Sequence, residues 1–199
     1  KPTPLTPSKR YTVRLQMDHV AYAVPRGHRI RVAISTAYWP LIWPSPEAVT
    51  MTLCTGKSEL ELPVRPRRRE KPRPFKQAEG AEPVAQKIHR AASNLRTVET
   101  DMATGETVLR IVDDFGETEN LNHGLIAGSV GRETHRIQSG DPLSAVSETH
   151  WTQTLRRGDW SVRTEARASL RADKENFFIT GSVEAFEGDK LIFNKKWDS

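Results

Sequence analysis

The sequence contains one cysteine, Cys54, among 199 residues, so no internal disulfide can hold the chain together. Cys54 lies inside the alternating run VTMTLCTG. It reads as a buried reduced thiol, because a nucleophilic cysteine needs an electropositive, partly exposed setting. A reducing, cytoplasmic compartment fits it. No apolar run approaches the roughly 20 residues of a membrane span, and the N-terminal stretch KPTPLTPSKR lacks a signal-like apolar segment. A soluble chain with no membrane partner is therefore expected. The glycine patterns that cradle phosphates are missing, so nucleotide chemistry has no foothold. His19, His28, His89, His123, His135 and His150 stand singly, with no His-x-x-x-His or Cys-x-x-Cys partner, and neither a metal site nor a cofactor is expected. The acidic run DDFGETEN lacks the alternating oxygen ligands and closing glutamate of a calcium loop. Gly128-Ser129-Val130-Gly131 is the nearest approach to a nucleophile elbow, but its spacing is wrong and no helix pattern follows it. The residues alone assemble no nucleophile, base and orienter, and no catalytic residue is expected.

What the sequence does contain is alternation. Tyr11, Val13, Leu15 and Met17 predict a strand over residues 10–18; Ile30, Val32 and Ile34 predict another over 29–35. Val49, Met51 and Leu53 with Leu60, Leu62 and Val64 predict a hairpin across Thr55–Ser58. Strands this closely spaced indicate a sandwich, not a βαβ fold. Residues 65–83 then place Pro66, Pro72, Pro74 and Pro83 among Arg67, Arg68, Arg69, Lys71, Arg73 and Lys76, an extended connector holding much of the formal charge of +5. Phe75 is its one aromatic. Stacking platforms need several, so nucleic acid is not expected as a partner.

Beyond the connector, residues 84–92 suit a turn or two of helix, and hairpins follow. Residues 95–100 and 108–112 flank DMATGE, whose Gly105 supplies a positive φ. Residues 113–123 are acidic and read as turn-rich, and Asp141-Pro142 marks a break. Residues 151–156 and 160–170 flank Arg157-Gly158-Asp159; residues 177–186 and 191–197 flank Glu187-Gly188-Asp189. The expected fold is all-β: residues 1–66 as part of an antiparallel jelly-roll sandwich of galactose-binding-like type, 67–83 as connector, and 84–199 as a hairpin-rich part sharing that core or forming its own.

Between two of these segments, Trp39, Ile42 and Trp43 alternate with Pro40, Pro44 and Pro46. Prolines stiffen the loop, and the rings supply apolar area that a free loop would not need. The loop either plugs the end of this chain's own sandwich or anchors it to another domain. Trp39, Trp43 and Trp160 are thus the candidate interface or ligand-contact residues, since sugars also stack on such rings.

The run from Pro25 to Ser35, PRGHRIRVAIS, followed by Trp39-Pro40 and Trp43-Pro44-Ser45-Pro46, resembles the C-terminal jelly-roll domain of the X-Pro dipeptidyl-peptidase and CocE/NonD hydrolase family. The likeness is specific over about residues 5–65. Gly140-Asp141-Pro142-Leu143-Ser144-Ala145 and Arg157-Gly158-Asp159-Trp160 extend it more weakly. The resemblance implies a serine hydrolase whose Ser-Asp-His triad lies on a preceding α/β-hydrolase domain; none of that triad maps onto this sequence, and the first strands of the family's jelly roll have no counterpart in it. It further implies that this chain packs on the hydrolase domain, helps shape the substrate cleft, and is inactive alone. A second copy in a homo-oligomer is the other partner that could cover the tryptophan loop. The competing expectation is a free-standing carbohydrate- or ligand-binding sandwich.

Overall fold

The structure, a computed structural model, describes residues 4–65 and 74–199 and contains two compact units, Lys1–Ile34 and Ser35–Ser199. In the second unit eight strands form one antiparallel sheet: β1 Gln86–Arg90, β2 Ser93–Thr100, β3 Glu106–Asn120, β4 Leu125–Gln138, β5 Asp141–Arg157, β6 Trp160–Ala172, β7 Phe177–Glu187 and β8 Lys190–Asp198. From β3 onward each strand pairs with the next in sequence, while β1 and β2 share β3, one beside each half. The fold is all-β and antiparallel, as expected. Thr55–Lys57, a 3₁₀ turn, is the one helical element among the described residues.

Turn chemistry explains the meander. Gly158-Asp159 and Gly188-Asp189 are two-residue loops closed by the pairs Arg157↔Trp160 and Glu187↔Lys190. Each opens on a glycine with positive φ, the geometry whose twist matches that of the flanking strands. Gly116 does something different. It sits in a bulge of β3 at φ +78°, where an added Cβ would lie 2.5 Å from the carbonyl oxygen of Arg90 and 2.9 Å from the amide nitrogen of Ala92. That close approach lets the chain cross from β1 to β2 while both stay on β3.

Several expectations are corrected. Among described residues 4–65 no strand forms; the one pairing there is the isolated bridge Tyr38↔Ile42. Alternation supplies a face to bury but no neighbour to receive backbone hydrogen bonds, and Val13, Leu15, Ile30 and Val32 stay exposed. The helix expected over 84–92 is β1, because pairing with β3 overrides a weak local preference. The acidic stretch 113–123, expected as turns, continues β3 to Asn120. Its carboxylates are met by basic side chains from other strands: Asp113 by Arg96 (3.5 Å), Asp114 by Arg90, Glu117 by Arg156 (2.9 Å) and Glu119 by His89 (2.8 Å). Cys54 is a free thiol, half-buried instead of buried. Residues 66–73, the basic part of the expected connector, lie outside the described residues.

The register sorts the sheet into two faces. One carries Gly131, Trp151 and Ala166 in one cross-strand row and His135, Ser147 and Leu170 in another. The other carries Arg132, His150 and Arg167 beside a row of Val130, Thr152, Glu165 and Glu184. Burial is thin on both. Ala145, at 1% exposure, is the one hydrophobic core residue among those described, with His135 and Glu165 the buried polar ones.

Candidate functional site

The tryptophan loop lies on the first of these faces. Ile42 N–H donates to the carbonyl of Tyr38 (2.9 Å), closing a turn that includes the cis Trp39-Pro40 bond. Trp39 and Trp43 then meet edge to face, centroids 4.9 Å apart at 81°. Trp39 also packs edge-on to His135 of β4 (6.0 Å), and Trp43 to Phe177 of β7 (5.8 Å). Both indoles are half-buried. The loop is therefore pinned, and two of the three expected aromatic residues come together. Trp160 does not join them. It opens β6, 44% exposed, whereas Phe177 faces Ala172 at the far end of that strand, about 40 Å away at roughly 3.3 Å per residue.

Beneath Trp39 the sheet assembles a group that sequence reasoning missed. Ser147 Oγ lies 2.9 Å from Nδ1 of His135, and Nε2 of the same ring lies 3.1 Å from Glu133 Oε2. A hydroxyl, an imidazole and a carboxylate thus form one hydrogen-bonded chain, contrary to the expectation that no such set could be put together. What it can do is limited by its backbone. Ser147 sits in a strand paired on both sides, with His135 and with Leu170, so the nearby N–H groups belong to the ladder and not to an oxyanion hole. The arrangement fixes the imidazole on which Trp39 packs. Glu133-x-His135 was its local trace; Ser147 becomes visible only with the β4–β5 register.

On the opposite face Glu165 accepts hydrogen bonds from His150 Nε2, from Arg163 and from Thr152 Oγ1 (2.9 Å), with Arg167 at 3.9 Å. Burial pushes its carboxyl up, but the hydrogen bonds from His150, Arg163 and Thr152 outweigh burial and hold it below the ordinary carboxylate value. On β3 the Arg156 hydrogen bond lowers Glu117 in the same way. These are mutually satisfied charges. Among the described residues no group of His, Cys, Asp or Glu side chains could hold a metal ion, and no helix is long and apolar enough to cross a membrane.

Residues 1–94 match the family model of the X-Pro dipeptidyl-peptidase C-terminal non-catalytic domain. A protein of Streptomyces avermitilis carrying a provisional Xaa-Pro dipeptidyl-peptidase name is 33% identical over 64 residues, which cover 32% of this chain and only 10% of that relative. No solved structure matches the chain.

Proposed function

We propose, because residues 1–94 match the family model of the X-Pro dipeptidyl-peptidase C-terminal non-catalytic domain, that this chain is the accessory β-domain of a serine hydrolase. The parent would be of X-Pro dipeptidyl-peptidase or acyl esterase and amidase type. In this reading the chain packs on an α/β-hydrolase domain of the same polypeptide, helps shape the substrate cleft, and contributes no catalytic group. In the parent, residues 1–66, whose described part forms no strand here, would be part of a jelly roll, 67–83 connect, and 84–199 form the hairpin-rich part; the location is cytoplasmic. The observation that carries the reading is the run of exposed apolar residues within the matched segment. Val13, Leu15 and Met17 are 71%, 79% and 58% exposed, and Val49, Met51 and Leu53 are 57%, 48% and 48% exposed. Apolar surface in such quantity marks a contact with another folded body. Trp39, Trp43 and Trp160 are the rings assigned to that contact, because stiff aromatics bury large area at small entropic cost.

Two measurements test it. The chain on its own should hydrolyse neither p-nitrophenyl esters nor X-Pro amides and should take up no fluorophosphonate probe. Stoichiometric labelling of a serine would overturn the assignment, and Ser147, beside His135, is the residue to inspect first. Expressed in trans, the α/β-hydrolase domain encoded in the same reading frame should bind the chain and bury Val13 and Met51, read as slowed amide exchange there. An upstream frame with no Gly-x-Ser-x-Gly turn would favour the carbohydrate- or ligand-binding alternative.

A further inference from the structure

On the face that carries Trp151, the sheet holds an open trough of about 450 Å³. Phe115 and two consecutive cross-strand rows line it, Ser129–Gln153–Thr164 and Ala127–Leu155–Val162, and the row Gly131–Trp151–Ala166 lies next to them. Trp151 lies flat on Gly131, where an added Cβ would stand 2.8 Å from the indole. Phe115 stacks on that indole, centroids 5.9 Å apart at 23°, and is itself 58% exposed. The trough therefore begins at an immobilised aromatic platform. It continues over a row of neutral hydrogen-bonding side chains and ends on an apolar row.

No charged side chain lines it, although 28% of the sequence is Asp, Glu, Lys or Arg and the other face of the same strands carries Arg163, Glu165 and Arg167. An ionic ligand would meet nothing of opposite sign. An extended peptide would need free strand edges, whereas β4, β5 and β6 are each paired on both sides. What remains is a ligand with an apolar face and an uncharged rim of donors and acceptors. Gln153 offers two amide donors and an acceptor; Ser129 and Thr164 each offer a hydroxyl that does either. We propose that this trough binds a neutral saccharide, one sugar ring stacked on Phe115 and its hydroxyls bonded along the Ser129–Gln153–Thr164 row. The inference goes beyond the accessory-domain reading and does not rest on it, and it places the sugar contact away from Trp39, Trp43 and Trp160.

The test is an NMR titration of the intact, isotope-labelled chain with cellohexaose, maltohexaose, xylohexaose and mannohexaose, and with polygalacturonate as an anionic counterpart. At least one neutral oligomer should shift resonances of Phe115, Trp151, Gln153 and Thr164 together. Phe115→Ala and Gln153→Ala should each weaken that binding about tenfold or more, while Trp160→Ala leaves it unchanged. Phe115→Leu, which keeps the apolar volume and removes the ring, guards against a folding defect and should weaken binding similarly. No shift with any neutral oligomer at millimolar concentration, a response to polygalacturonate alone, shifts centred on Trp39, Trp43 or Trp160, or full affinity in Phe115→Leu would overturn the proposal. A contact of the same trough with the hydrolase domain in trans, unaffected by saccharide, would also overturn it.

Discussion

Residues 29–35 and residues 160–170 have the same kind of sequence, largely apolar side chains at every second position with Thr164 as the exception in the later one, and the structure treats them in opposite ways. The later segment is part of β6, hydrogen-bonded on both sides; the earlier one pairs with nothing among the described residues, and Ile30 and Val32 are 57% and 49% exposed. The difference lies in what stands next in the chain. Two-residue turns at Gly158-Asp159 and Gly188-Asp189 return each late strand directly onto its neighbour. The early segments are separated by Pro25, Pro40, Pro44 and Pro46 and by loops that bring no strand alongside. A strand is a relation between two segments, and an alternating pattern specifies only one of them.

The sharpest way to break this contrast is at the bulge of β3. Gly116→Val forces a β-branched side chain into a positive-φ position against the Arg90 carbonyl, and should cost about 3 kcal/mol or more of unfolding free energy. Amide exchange should rise first in β1 and β2; unchanged protection there would mean the crossing does not depend on the bulge. Next in size is Glu165→Gln, which leaves Arg163 and His150 without their carboxylate and should cost about 2 kcal/mol, discounted because the arginines are partly exposed. The same substitution tests the pH dependence. Because the folded Glu165 carboxyl titrates below its unfolded value, its contribution is complete above the ordinary carboxylate range and is lost as pH falls through the folded value. The variant should therefore have a shallower acid limb in urea midpoints measured from pH 7 to pH 3. A limb as steep as that of the unchanged protein would assign acid sensitivity elsewhere, with Glu117 the next group to examine.

A smaller effect is expected where the tryptophan loop packs on the sheet of its own unit. Trp43→Ala removes edge contacts to Trp39 and Phe177 from a half-buried ring, and should cost about 1–2 kcal/mol. A loss of 3 kcal/mol or more would make the loop a core plug, and one near zero would reserve Trp43 wholly for a partner. Val32→Ser should change stability by less than about 0.5 kcal/mol, since the side chain is exposed and its strand unformed. A larger loss would show that the early rows are paired in the isolated chain after all.

These residues also show where legibility stops. Hairpins marked by their own turn residues were readable, because turn and both strands are neighbours in sequence. The acidic half of β3 was not, because Arg90, Arg96, His89 and Arg156, which partner it, arrive from three other strands. Of the aromatic candidates, Trp39 and Trp43 could be recognised as a pinned pair from the prolines around them. Phe115 could not: its importance depends on Trp151 filling the space over Gly131, and that pairing belongs to the β4–β5 register.

The order of the strands carries a kinetic consequence. Every pairing from β2 to β8 joins segments that follow one another along the chain, so each costs only the closure of a short loop, and low sequence separation favours quick assembly. β1 is different, because it must reach past β2 to the distal end of β3, pairing Gln86 with Asn120. Its closure should follow the β2–β3 hairpin and the Gly116 bulge that receives the crossing. In pulse-labelled hydrogen exchange during refolding, protection at Gln86–Arg90 should then appear last; protection there before the β2–β3 hairpin would reverse that order.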